Sequence, residues 1–213
     1  MKRLLMTCIV LVAMTSVSSA AIIGVNGNTG APPLTLGPYT MTAFGVDTHD
    51  GQIVGHPVGV ASVASPLGGI LGFSPSLSHE LSPTAGWSHG YTGDTYTDTT
   101  VTPFTVTLTL PASTGAFYFY AQPDSGTLNI IAVGVGGGLG VAFGHNVTPG
   151  SATYFGLYTD DHSAITSIEI TSTAAFVIGE FGIASVVPVP SAVLLGSLGV
   201  GAVGWIRQRR WTA

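Results

Sequence analysis

The chain has 213 residues, 30 of them Gly, and charged residues make up only 7% of it. Its five basic residues, Lys2, Arg3, Arg207, Arg209 and Arg210, all lie near the two ends, so the stretch 21–186 carries acids but no Lys or Arg. A body without cations cannot neutralise a phosphate backbone, which excludes nucleic acid as a partner, and so low a charge is unlike that of disordered, charge-rich chains. A body of this length suits one domain with a real core, and its Gly-rich, Thr-rich character points to an all-β fold.

In chain order, Lys2 and Arg3 precede an apolar run over 4–14 and the small residues Ser18, Ser19, Ala20 and Ala21. This is the pattern of a secretory signal peptide, expected as a helix over 1–20. The only cysteine, Cys8, falls inside it, so the exported body is expected to lack disulfides and thiol-based sites. Residues 22–38, rich in Gly, Asn and Pro, read as an extended segment with turns. Strands are expected over 39–44 and 58–63. Between them, Asp47 and Asp50 with His49 and Gly51 admit a calcium loop, although the full EF-hand spacing is missing and an Asp-rich turn that caps the backbone is the commoner explanation.

The stretch 65–93, broken by Pro66, Pro75, Pro83 and the Gly68-Gly69 pair, reads as a long loop or a short strand with flanking turns. Two motif matches in it fail on context. His79-Glu80 opens like H-E-x-x-H, but Pro83 stands where the second ligand belongs and would break the helix. Gly86-Trp87-Ser88-His89-Gly90 matches G-x-S-x-G, yet lacks the strand before and helix after that a nucleophile elbow requires, so a Gly-bounded turn with an aromatic anchor is the better reading.

The clearest strand covers 102–110, where Phe104, Val106, Leu108 and Leu110 alternate with Thr105, Thr107 and Thr109. A single Thr row is weak support for ice binding. The runs 115–121 and 127–133 around Pro123-Asp124-Ser125-Gly126 suggest a hairpin. The glycines of 134–140 lack the Lys of a phosphate loop and read as a flexible connection. Further strands are expected over 153–158, 165–171 and 176–183. Aromatics at 117–120 and 154–158 are candidates for a sugar-stacking face, with alternate ones assigned to the core. Asp160, Asp161 and His162 form a turn that can meet Asp94 or Asp98 in a calcium site at one end of the fold.

The chain closes with Val187, Pro188, Val189 and Pro190, an uncharged apolar segment over 191–206, and the basic stop Arg207, Arg209 and Arg210. The apolar segment's 16 residues would make a helix of about 24 Å, marginal against a hydrocarbon core of about 30 Å, and the arginines predict a cytoplasmic C-terminus. This tail resembles the PEP-CTERM sorting signal of Gram-negative bacteria, also labelled the ice-binding protein C-terminal domain. The resemblance implies recognition by the membrane transpeptidase exosortase, with Val189 departing from the Glu that the family name implies. The stretch 102–185 is similar to ectodomains found before such tails, which implies a β-sandwich of jelly-roll type. The spacing of roughly eight or nine short strands leads there independently.

These readings divide the chain into a signal peptide (1–20), a β-sandwich ectodomain (21–185) and a sorting tail (186–213). The leading functional expectation is a non-catalytic cell-surface or matrix protein associated with exopolysaccharide and needing no cofactor. The alternatives are a carbohydrate-binding module stabilised by calcium at Asp94, Asp98, Asp160 and Asp161, and a secreted hydrolase.

Overall fold

The computed structural model describes residues 21–27, 30–47, 58–81, 87–98, 103–135, 139–146 and 151–186. The expected signal peptide, the sorting motif, the apolar segment 191–206, the basic stop, and Asp50 of the proposed calcium loop lie outside the described residues. Among the described residues the chain is all-β. The one helical element is a 3-10 turn (Ser88–Gly90), and no helix is long and apolar enough to cross a membrane.

The strands are β1 (Ile22–Asn26), β2 (Thr35–Leu36), β3 (Tyr39–Thr40), β4 (Thr42–Ala43), β5 (Val58–Ala64), β6 (Ile70–Leu81) and β7 (Asp94–Thr97). They continue as β8 (Phe104–Thr109), β9 (Thr114–Pro123), β10 (Thr127–Gly134), β11 (Leu139–Asn146), β12 (Thr153–Thr159), β13 (Ile165–Ser172) and β14 (Phe176–Ser185). Twelve of these form one antiparallel sheet in the order β1-β12-β9-β14-β7-β6-β8-β13-β10-β11, with β4 added to β14 and β5 to β6. The sheet folds over on itself at β6. The first half of β6 pairs with β8 (Gly72↔Thr109) and its second half with β7 (Ser78↔Thr97). One strand therefore belongs to both layers of a sandwich, a corner made by a bend. At the other seam β1 lies alongside β11, so the sheet nearly closes.

Pro75 explains why β6 is not legible as a strand. A proline donates no hydrogen bond and is tolerated only at edges or breaks in the ladder. Pro75 sits at such a break, between the last pairing to β8 at Ser74 and the first to β7 at Ser78, opposite the register shift of β5 between Val60 and Ser62. The stretch expected to be mostly loop thus holds a strand of 12 residues. Its alternation survives the proline, since Leu71, Phe73, Leu77 and His79 are all buried.

The predicted hairpin across Pro123-Asp124-Ser125-Gly126 is also corrected. The turn is there, but β9 pairs with β12 and β14, whereas β10 pairs with β11 and β13. The cause is burial. Almost every residue of β9 is buried on both faces, so it needs a neighbour on each edge and a cover on each side. The turn carries the chain between layers instead. The segment 22–38, expected to be extended with turns, contributes β1, which pairs with β12 in the register Ile22↔Thr159.

The core lies between the layers. Phe117, Phe119, Phe155, Leu157, Ile178 and Phe181 come from the first layer, and Val106, Leu108, Leu128, Ile130, Ile168 and Ile170 from the second, most of them wholly inaccessible. A second cluster occupies the outer face of the first layer, where Tyr118, Tyr120 and Tyr154 are covered by Leu36, Tyr39 and Trp87. Among the described residues, the outer face of the second layer carries no such cover.

Candidate functional site

Two carboxylate–histidine networks lie near the β6-β7-β14 junction. In the first, His79 and Tyr96 face each other across β6 and β7 and stack with centroids 5.1 Å apart. His79 Nε2 donates to Asp94 Oδ1 at 2.9 Å, the Asp47 backbone N–H donates to Asp94 Oδ2 at 2.7 Å, and Tyr96 OH donates to Asp47 Oδ2 at 2.9 Å. The ring closes on itself and is buried throughout. Burial and the Asp47 carboxylate push the Tyr96 phenol far above its ordinary range.

The second network is built on a β-bulge. Between Gly179↔Tyr120 and Gly182↔Tyr118, β14 spends one more residue than β9 does. The extra residue keeps Ile178 and Phe181 both in the core and turns Glu180, at φ 51°, toward the outer layer. There its Oε2 accepts from Trp87 Nε1 at 3.3 Å and from His89 Nε2 at 2.9 Å. Burial raises the Glu180 carboxyl above the usual range, against the lowering effect of these two donors. Tyr91 links the networks by donating to the Asp94 backbone carbonyl at 3.2 Å. Burial, then the Asp94 and Glu180 charges, raises its phenol.

The hollow between the networks, lined by Tyr91, Asp94, Tyr96 and Glu180 among others, offers about 10 Å³. That is at the lower limit for one water molecule and far below the size of a ligand pocket. Ser88 begins the 3-10 turn, after which the described chain runs to β7 and not into the helix of a nucleophile elbow, and Trp87 is the buried anchor of that turn. His79 and Glu80 are consecutive residues of a strand and so point to opposite faces. These groups are engaged with one another, while Asp47 also lines an open hollow of about 390 Å³ with Val46, Ser65 and Pro66, and His89 is exposed at the surface.

The four acids expected to share calcium are spread out. Asp94 is engaged as described. Asp98 is buried after β7, its N–H bonded to the Phe176 carbonyl, at the end of the sheet where Phe176 pairs with Pro123. Asp160 and Asp161 follow β12, beyond the Tyr158↔Ala116 pair. Seven residues of β9 separate Ala116 from Pro123, roughly 23 Å at strand rise, so the two groups sit at opposite ends. Hydrogen bonding from Ser163 holds the Asp161 carboxyl below its usual range.

Of the proposed sugar-stacking aromatics, Tyr158 is half-buried and the others are buried. Phe117, Phe119 and Phe155 face the core, while Tyr118, Tyr120 and Tyr154 pack with centroids 5.5–5.7 Å apart under the outer cover. Tyr118 lies so flat on Gly182 that a Cβ there would come within 2.1 Å of its ring. Burial, with the Glu180 charge, pushes the Tyr118 phenol up to about 12.

The open face belongs to the second layer. Register forms rows across β8, β13 and β10: Thr105, Thr171 and Asn129; Thr107, Glu169 and Ile131, with Ser74 on the other side of Thr107; and Thr109, Ser167 and Val133. Every one of these side chains is exposed or half-buried. The Thr row of β8 was legible by alternation, but its polar neighbours are a property of pairing, which a single sequence does not display. Trp87, His89 and Glu180 were also missed, because they join only through the bulge.

Fold and site together define an all-β domain, a nearly closed sheet folded into two layers, with an open polar face and enclosed carboxylates. No protein-family model matches the chain, and no curated protein matches it in sequence. Among solved structures it is similar to two variants of a family 29 carbohydrate-binding module, at 11% and 13% identity with TM-scores of 0.33 and 0.32. Those alignments cover 69% and 68% of this chain and 92% and 91% of the modules. It is also similar to the family 11 carbohydrate-binding module from Clostridium thermocellum in complex with a β-1,3-1,4-mixed-linked tetrasaccharide, at 9% identity and TM-score 0.24, covering 81% of this chain and 93% of that one.

Proposed function

We propose that the chain is a non-catalytic, exported protein that binds neutral polysaccharide, with a sandwich of jelly-roll type presenting the binding face. One observation carries the reading: among the described residues, a broad polar face is left uncovered at the row set Thr105, Thr107, Thr109, Ser167, Thr171 and Asn129, with a single charge at Glu169. Hydroxyls and an amide on alternate residues of three paired strands offer many donors and acceptors to a hydroxyl-rich polymer. The absence of Lys and Arg from 21–186 disfavours polyanions. Export by 1–20 and anchoring by 191–206 place this face outside the membrane, and an exosortase acts at Val187, Pro188, Val189 and Pro190. The intact mass of the mature chain reports that cleavage.

The test is binding to a panel of insoluble neutral and acidic polysaccharides. Wild type is expected to be retained by a neutral one, and the combined variant Thr107→Ala, Thr171→Ala to bind roughly tenfold more weakly, two lost hydrogen bonds' worth. Retention unaffected by both substitutions, or confined to acidic polymers, would sink the reading.

A further inference from the structure

The chain leaves the sandwich at Val186, whose N–H donates to the Ser113 carbonyl at 2.8 Å. Only four residues, 187–190, separate it from the apolar segment 191–206, a reach of at most about 14 Å. If that segment lies in a bilayer, the end of the domain bearing Val186 is held at the lipid surface. The composition of that end is therefore informative.

It carries apolar side chains that the fold holds outward. The turn from β5 to β6 is fixed by Ser65 N–H to the Gly69 carbonyl (3.1 Å), Gly68 N–H to the Ser65 carbonyl (3.1 Å) and Leu67 N–H to Ser65 Oγ (3.2 Å). Leu67 at its tip is 45% exposed, and Ile70, the first residue of β6, is 59% exposed. The turn abuts the root of the tail, since a Cβ on Gly69 would lie 3.5 Å from Pro111, two residues before Ser113. Leu67 also lines a hollow of about 340 Å³ together with Ala184 and Ser185. Across the same end, Val135 is 66% exposed and its N–H is bonded to the Ala164 carbonyl. Three of the six large apolar side chains exposed among the described residues thus gather where the tether is shortest.

We propose that this end of the domain seats on the bilayer, with the β5–β6 turn as an apolar foot that enters the headgroup region. The proposal rests on the anchoring role given above to 191–206. The body has no Lys or Arg, so the contact is apolar and needs no anionic lipid. Asp160, exposed at the same end after β12, stays in water, which tilts the domain onto the β5–β6 turn.

The experiment uses the exported chain from residue 21 onward, which has no native cysteine, reconstituted in phosphatidylcholine vesicles, and single cysteines introduced by Leu67→Cys, Ile70→Cys or Ser125→Cys for an environment-sensitive dye. Ser125 lies in the β9–β10 turn at the opposite end. Labels at 67 and 70 should shift to shorter wavelength and be quenched by lipids carrying a quencher near the headgroup, while the label at 125 should not respond. Flotation of the chain with no more quenching at 67 and 70 than at 125 overturns the seating alone. A chain that fails to float with the vesicles overturns the anchoring and the seating together. A label at 70 that keeps its shift when Leu67→Ser is added shows that Ile70 enters the lipid in its own right, and loss of the shift shows that Leu67 leads; either supports the seating.

Discussion

Glu180 concentrates the tension between backbone and side chain in this fold. A left-handed backbone angle is tolerated there because the bulge must absorb one residue, and the carboxylate is then buried with no Lys or Arg among the described residues to meet it, only the His89 ring. Two N–H donors satisfy it only in part, so its pKa is raised. The sign follows from linkage. A carboxyl that binds its proton more tightly in the folded state contributes stability fully present below the unfolded value of about 4.3, and loses it as pH rises through the folded value. Glu180→Gln removes that dependence while keeping an acceptor for Trp87 and His89. Urea denaturation should show the variant gaining on wild type between pH 4 and neutrality, by contrast with a constant offset at every pH, which would mean that Glu180 titrates as an ordinary surface acid.

At the level of the element, β8 shows what a sequence displays and what it does not. Its two faces were legible because one meets the core and the other meets water. Leu108 is wholly buried while Thr107, next to it, is half-buried on the open face. Leu108→Ala should therefore cost about 2–5 kcal/mol in the free energy of unfolding, and Thr107→Ala no more than about 0.5 kcal/mol. Comparable costs at both sites would mean that the outer face is covered as the first layer's is. In β9 the same alternation requires only that alternate aromatics face the core, and it does not tell which; Phe117 and Phe119 are the ones that do, and the tyrosines between them are buried too, because their cover comes from Leu36, Tyr39 and Trp87, far away in sequence. In β6, Gly72 and Pro75 mask an alternation that runs from Leu71 to His79. Local chemistry there describes a corner, and corners look like loops until their partners are known.

For the whole molecule, the register decides whether one calcium ion could hold the fold together. Calcium takes six to eight oxygen ligands, and the expected set drew on Asp94, Asp98, Asp160 and Asp161. Folding puts Asp98 and the Asp160–Asp161 pair at opposite ends of β9 and its neighbours, and both oxygens of Asp94 are engaged by His79 and the Asp47 N–H. Asp161 Oδ1 already accepts from Ser163. Among the described residues no group of three or more His, Cys, Asp or Glu side chains is arranged to hold an ion. The magnitudes make the question decidable. A site in the folded state saturated at a hundred times its dissociation constant would add about 2.7 kcal/mol, or roughly 5–10 °C in the melting midpoint of a domain this size. Calcium titrated into chelator-treated protein should leave that midpoint where it was. A rise of several degrees that Asp94→Asn abolishes would instead require the His79–Asp94–Asp47 ring to open and take up the ion, because both carboxylate oxygens of Asp94 are engaged within it.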